Sequence, residues 1–169
     1  AGYTFQVRSN RDRDSVGGKL DYNLSSKHAI DAQFRWNRDL VDRPDQGVGF
    51  QTVPVFQNDN TAKFLALSWR WTPSASLTNE VRGGFNFSPG DFLRSDKLPD
   101  YLIGGMSWSS PTVGSQPQGR LTRTYSLQDN ATWVHGRHNV QFGYYLQNGR
   151  TSLYDYAGTA PTYSVGIES

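Results

Sequence analysis

Three histidines are the first residues to weigh for chemistry. His135 and His138 stand three positions apart in "WVHGRHNV", and two imidazoles at short range are the beginning of a metal site. Such a site needs three or four ligands, and no carboxylate cluster accompanies these two. They flank Gly136-Arg137, so a role at a turn and interface is the better expectation; His28 follows a turn in the same way. Serines are many, but no Gly-x-Ser-x-Gly elbow appears. The glycine pairs at 17–18, 83–84 and 104–105 lie in strand-like or loop sequence and form no phosphate-binding loop. Asp39, Asp42, Asp45, Asp91, Asp96 and Asp100 lie in loop-like sequence without the spacing of a calcium loop, and read as solvated charge. Arg35, Arg70, Glu80 and Arg82 share one polar face and read as a structural charged ladder. The chain has no cysteine, which excludes disulfides, thiolate zinc sites and thiol catalysis. The expectation is a protein that is not an enzyme, with no metal and no cofactor. An all-β enzyme whose site is assembled from separate strands is the alternative that no motif supports.

The elements that must position these residues are strands. The 169 residues suffice for one domain, 1–169. Basic and acidic residues nearly cancel, 17 against 15, which gives no argument for a nucleic-acid partner. Hydrophobic residues make up only 36%, low for a globular core, while aromatics reach 14%. That combination fits a protein with a polar interior and aromatics at interfaces. It also fits a soluble glycan-binding sandwich. No apolar run approaches a membrane helix, and no secretion signal opens the chain, which begins "AGYTFQ" as though a signal had been removed or the sequence started internally.

Alternation of apolar and polar residues runs almost throughout. In a first pair of strands, Val16, Gly18, Leu20, Tyr22 and Leu24 alternate with polar residues, Ser25-Ser26-Lys27 turns, and His28, Ile30, Ala32, Phe34 and Trp36 return. In a second, Leu65, Leu67, Trp69 and Trp71 lead through 72–76 to Leu77, Val81, Phe85 and Phe87. In a third, Leu121, Tyr125, Leu127, Ala131 and Trp133 lead through His135-Gly136-Arg137 to Val140, Phe142, Tyr144 and Leu146. Tyr3, Phe5, Val7 and Tyr163, Val165, Ile167 offer a further strand at each end. Connections within pairs are short, and those between pairs, 39–59 and 88–119, are long. "YLIGGMSWSS", 101–110, is the most apolar part of these loops, suited to cap a barrel or touch a ligand. Short turns at one end, long loops at the other, and strands of about ten residues or more suit an outer-membrane barrel. With no helix to cross a bilayer, only a closed barrel satisfies its backbone there.

Aromatic placement agrees. Tyr22, Trp71 and Trp133 sit just before short turns, and Trp36, Phe87 and Tyr144 are placed toward the long-loop ends. Two such rings form the aromatic girdles of a membrane barrel. Arg35, Arg70, Glu80 and Arg82 then face the lumen. Arg123 and Asp129 fit poorly, since both fall on the apolar face; a bulge, an interfacial position or burial would have to accommodate each.

"GKLDYNLSSKHAIDAQFRWNRD" and "YSLQDNATWVHGRHNVQFGYYLQNG" resemble hairpins of TonB-dependent outer-membrane receptors, most closely the Oar-like type with a carboxypeptidase-regulatory-like domain. "LTNEVRGGFN", 77–86, resembles a strand between them, and the resemblance spans roughly 10–150. It implies nutrient binding or uptake at the bacterial outer membrane. Such receptors have about 22 strands, more than this chain supplies. No plug domain and no TonB box can be read, and "VGIES" lacks a terminal aromatic. The resemblance therefore implies a piece of a receptor barrel or a small relative.

The expected fold is all-β: an antiparallel up-and-down barrel, or barrel segment, of about six to eight long strands. The expected partners are membrane lipid and, if edges stay open, further barrel strands or an oligomeric partner. A small soluble all-β module binding glycans or proteins through exposed aromatics is the alternative. The two differ at Leu67, Val81, Phe85, Leu127, Val140 and Phe142, which face hydrocarbon in one and form the core in the other.

Overall fold

The computed structural model describes residues 4, 6–46, 52–95, 100–103, 117–157 and 161–166. Eight strands follow in chain order: β1 (Arg11–Ser25), β2 (His28–Asp42), β3 (Phe56–Ser74), β4 (Leu77–Arg94), β5 (Asp100–Ile103), β6 (Gln118–His135), β7 (His138–Asp155) and β8 (Thr162–Val165). Six of them form one antiparallel up-and-down sheet in the order β1-β2-β3-β4-β6-β7. A single 3-10 turn, Pro44–Gln46, follows β2.

The six long strands run 15 to 19 residues, well beyond the five or six usual in soluble sheets. They continue past the stretch of clear alternation, so the loops shrink: β2 runs to Asp42, β3 starts at Phe56, β4 runs to Arg94 and β6 starts at Gln118. The expected loop boundaries at 39–59 and 88–119 are corrected accordingly. These strand ends either set apolar residues side by side, as at 40–41 and 92–93, or lack them, as at 57–60, so no apolar–polar alternation marks them. The terminal strands also differ from expectation. Val7 is not in a strand, Tyr3, Phe5 and Ile167 lie outside the described residues, and β8 pairs in parallel with β5 in a separate small sheet. Tyr101–Ile103 of the apolar loop segment thus belong to β5, while 104–110 lie outside the described residues.

Local sequence explains the short turns. Gly136 carries φ 60° at the first turn position and Arg137 is not left-handed, the II′ geometry whose twist matches the flanking strands. The other two hairpins close with register shifts at Asn23/Ser25 and Trp71/Ser74. The pairing register then sets the tilt. Ser25 pairs with His28, in line with Asn79 of β4; the next turn closes two residues lower, at Leu77. Leu77 pairs with Trp133, and the third turn closes two residues lower again, at His135. A stagger of two residues per hairpin is one per strand. With about 3.3 Å per residue and 4.8 Å between strands, it inclines the strands by about 35°, the tilt of a barrel wall.

There is almost no core. Phe56 and Ala131 are the buried hydrophobic residues among those described, and contacts between long strands are those between hydrogen-bonded neighbours. Leu67, Leu127, Val140 and Phe142 are exposed, and Val81 and Phe85 half-buried. Among the described residues no second layer covers the apolar face, and these side chains do not form the core of a sandwich there. Two glycines mark bends toward the polar face. A Cβ on Gly84 would collide with the Leu65 carbonyl oxygen, and one on Gly143 with that of Asp129. Such close backbone approach is how a sheet curls, and both glycines belong to the polar side.

Candidate functional site

The sheet has two chemically different faces, and register assigns every side chain to one of them. On the apolar face, Val16, Trp36, Lys63, Phe87, Arg123 and Arg150 form one cross-strand row. Nearer the turns, Tyr22, Ile30, Trp69, Val81, Asp129 and Tyr144 form another. Asp129 apart, about ten residues of each strand lie between the turns and the first charged residues of this face. At about 35° of tilt that is an apolar band roughly 27 Å tall, close to the 25 Å of outer-membrane barrels.

Aromatic rings crowd the lower rim of this band. His28 stacks on Trp69 (centroids 5.8 Å, planes 6° apart) and on Trp71 (6.4 Å, 7°), and accepts a 3.2 Å hydrogen bond from Trp69 Nε1 at Nδ1. Trp133 stacks on His135 at 5.3 Å. At the upper rim, Phe87 meets Phe85 at 4.7 Å and the edge of Tyr125 at 5.8 Å. Tyr22, Trp71 and Trp133 thus lie toward the turns, and Trp36 and Phe87 toward the loops. Tyr144 does not belong with the latter pair. It is six residues from the start of β7 and opposite Asp129, because β7 extends eleven residues further to Asp155. Tyr125 was not singled out by sequence; its contact with Phe87 comes from pairing across β4 and β6.

The two misfits have different explanations. Arg123 stands at the upper rim, level with Lys63 and Arg150, an interfacial position. Asp129 is six residues from its turn, inside the band, in unbroken register. It is half-buried, and Asn79 Nδ2 donates a 2.7 Å hydrogen bond to its Oδ1.

On the polar face, Arg70 pairs with Glu80 across β3 and β4, and Arg82 Nε donates to Glu80 Oε1 at 3.0 Å. Ser68 Oγ donates to Asp31 Oδ2 at 2.7 Å. Arg35 stands apart from this ladder. It lies opposite Gly17 and Phe64 and has no hydrogen-bond or ion-pair partner among the described residues. Arg13, Arg35, Asn37, Phe64 and Asn86 line an open concavity of about 690 Å³. Phe64 is the residue sequence reasoning passed over. Along its own strand it stands between Ala62 and Ala66, and its polar neighbours Arg35 and Asn86 come from β2 and β4, so only pairing reveals its setting.

The loop ends of the strands are tied by ion pairs. Arg8 Nε and Nη2 donate to Asp42 Oδ2 and Oδ1 at 2.7 and 3.0 Å, and Asp42 also accepts from Gln57 Nε2 (2.9 Å) and the Asn10 amide (3.0 Å). The Arg8 hydrogen bonds above all hold the Asp42 carboxyl well below the usual carboxylate range, against the opposing effect of its burial. Arg38 grips Asp59 at 2.7 Å, and Arg43 grips Asp45 at 2.6 Å. Burial, then the 3.0 Å bond to Asp91, pushes the Tyr154 phenol up to about 12. The acidic residues here are thus largely ion-pair partners: Asp39, Asp42, Asp45 and Asp59 each hold an arginine. Asp96 lies outside the described residues, as do the surroundings of the Asp100 side chain. No group of three or more possible metal ligands occurs among the described residues.

No curated protein and no solved structure matches the chain. A family model does, over residues 1–166, and its description is outer membrane beta barrel domain. An antiparallel up-and-down sheet, inclined like a barrel wall and apolar on one face over a membrane's height, is what that description requires, and the chain belongs to this family of the bacterial outer membrane.

Proposed function

We propose that this chain forms part of the wall of a TonB-dependent type of receptor, which binds or takes up a nutrient at the cell surface. The apolar face meets membrane lipid, with Tyr22, Trp36, Trp71, Phe87, Trp133 and Tyr144 against it. The polar face, with Arg35, Arg70, Glu80 and Arg82, meets the lumen. The observation that carries the reading is the concavity at Arg35 and Phe64. A free guanidinium beside an exposed ring, among amide side chains, can bind a ligand with an anionic and an apolar part. The chain works by binding energy and not by covalent chemistry.

Room for a ligand requires more strands than these six. At about 35° of tilt each strand occupies about 6 Å of circumference, so six closed on themselves give a radius of about 6 Å; even eight are filled by their own side chains. The outer edges of β1 and β7 have no partner among the described residues. Further strands pair with them, from the same chain or another.

The test is growth of a strain lacking the protein on nutrients too large for diffusion pores. Loss of growth on one of them, restored by the natural sequence but not by R35A/F64A, is the expected result. Normal growth on all of them, with no ligand bound by the purified protein, would overturn the reading.

A further inference from the structure

On the apolar face, the first basic residues above the short turns come at nearly one height, and Asp129, held by Asn79, is the one described charge below them. Arg38 is ten residues after His28, Lys63 eleven before Ser74, Arg123 twelve before His135 and Arg150 twelve after His138. Arg38 is held by Asp59. Lys63, Arg123 and Arg150 have no hydrogen-bond or ion-pair partner among the described residues. They stand in one register row, Lys63–Phe87–Arg123–Arg150, across four adjacent strands spanning about 14 Å. Arg123 and Arg150 are directly opposite each other, and like charges in that position repel unless an anion lies between them. Asp14, the carboxylate at the same height, is on β1 beside Arg38 and away from the three.

We propose that Lys63, Arg123 and Arg150 bind the phosphorylated headgroup of a glycolipid in the outer leaflet. The site rests on the reading proposed above, with the apolar face in lipid, and on the short turns lying on the periplasmic side and the longer loops outside, as in outer-membrane barrels. Two guanidiniums side by side offer parallel N–H groups to phosphate oxygens, and Lys63 adds a point charge about two strands away, suited to a second phosphate. The acyl chains lie along the band below, past Tyr125, Leu127 and Leu146. A soluble anion would satisfy the cations but leave this band uncovered; a phosphorylated lipid meets both.

The test uses the full chain in nanodiscs of phosphatidylcholine carrying a bis-phosphorylated diglucosamine lipid or its dephosphorylated counterpart. Lipid retention is read by native mass spectrometry. The phosphorylated lipid should be kept preferentially, and K63Q/R123Q/R150Q should lose about tenfold of that preference. R123K/R150K, which keeps the charge, should retain more than the Gln variant, and R137Q in the short turn should match the natural chain. Inorganic phosphate alone should not displace the lipid. Equal retention of the dephosphorylated lipid, no loss in the Gln variant, or displacement by phosphate alone would overturn the site while leaving the barrel reading intact. A chain that never inserts would overturn both.

Discussion

Asp129 is the residue whose position conflicts most with its surroundings. A carboxyl inside an apolar band is costly, and the Asn79 amide offsets only part of that cost. Replacing Asp129 by Leu alone would leave Asn79 without its acceptor. The double variant N79L/D129L should therefore gain more than the two single changes summed, by about 1 kcal/mol, in urea unfolding of the detergent-refolded protein. Asp42 behaves differently, because its partner is an exposed guanidinium. Its carboxyl is depressed in the folded state, so its contribution is complete above the ordinary carboxylate pKa of about 4 and fades as the pH falls below it. At pH 7, D42N should mimic that loss, and trypsin should then cut after the released Arg8 several-fold faster than in the natural chain. Sequence placed Asp129 on its strand and Asp42 in a loop, and showed neither partner. Asn79 and Arg8 are fifty and thirty-four residues away, joined only by register.

The strands make their own predictions, since each carries two faces that respond oppositely. L146R puts a charge on the apolar face within the band and should cost about 2 kcal/mol, while Q147R, one residue on, should cost little. The measurement is the urea midpoint of folding into lipid vesicles. G84A and G143A force a methyl group against a neighbouring carbonyl and should each destabilise by about 1–3 kcal/mol; G18A meets nothing within 4 Å and should be nearly neutral. The faces were legible in the sequence because alternation with period two is a local property. The bends were not, since Gly84 and Gly18 look alike until the neighbouring strand is in place. Strand ends were legible only where apolar residues marked them. That is why 57–59 and 88–91, inside β3 and β4, read as loop, and why Tyr144 reads as lying toward the long-loop end of β7.

For the whole molecule the question is what completes the sheet. Because the chain has no cysteine, single pairs can be introduced cleanly. Cysteines placed at Lys19 of β1 and Gln141 of β7, which the same stagger would set opposite each other in a closed six-strand barrel, should form no disulfide within one chain under oxidation. The pairing of β5 with β8 belongs to this scale too. It joins segments about sixty residues apart in parallel, a contact that no local pattern announces. The stagger has the widest consequence. Each hairpin steps down by the same two residues, so the angle at which one hairpin meets the next is fixed locally and does not depend on how many there are. Hairpins of this kind act as interchangeable staves: duplicating or deleting one changes the girth of the vessel while leaving its height in the membrane unchanged.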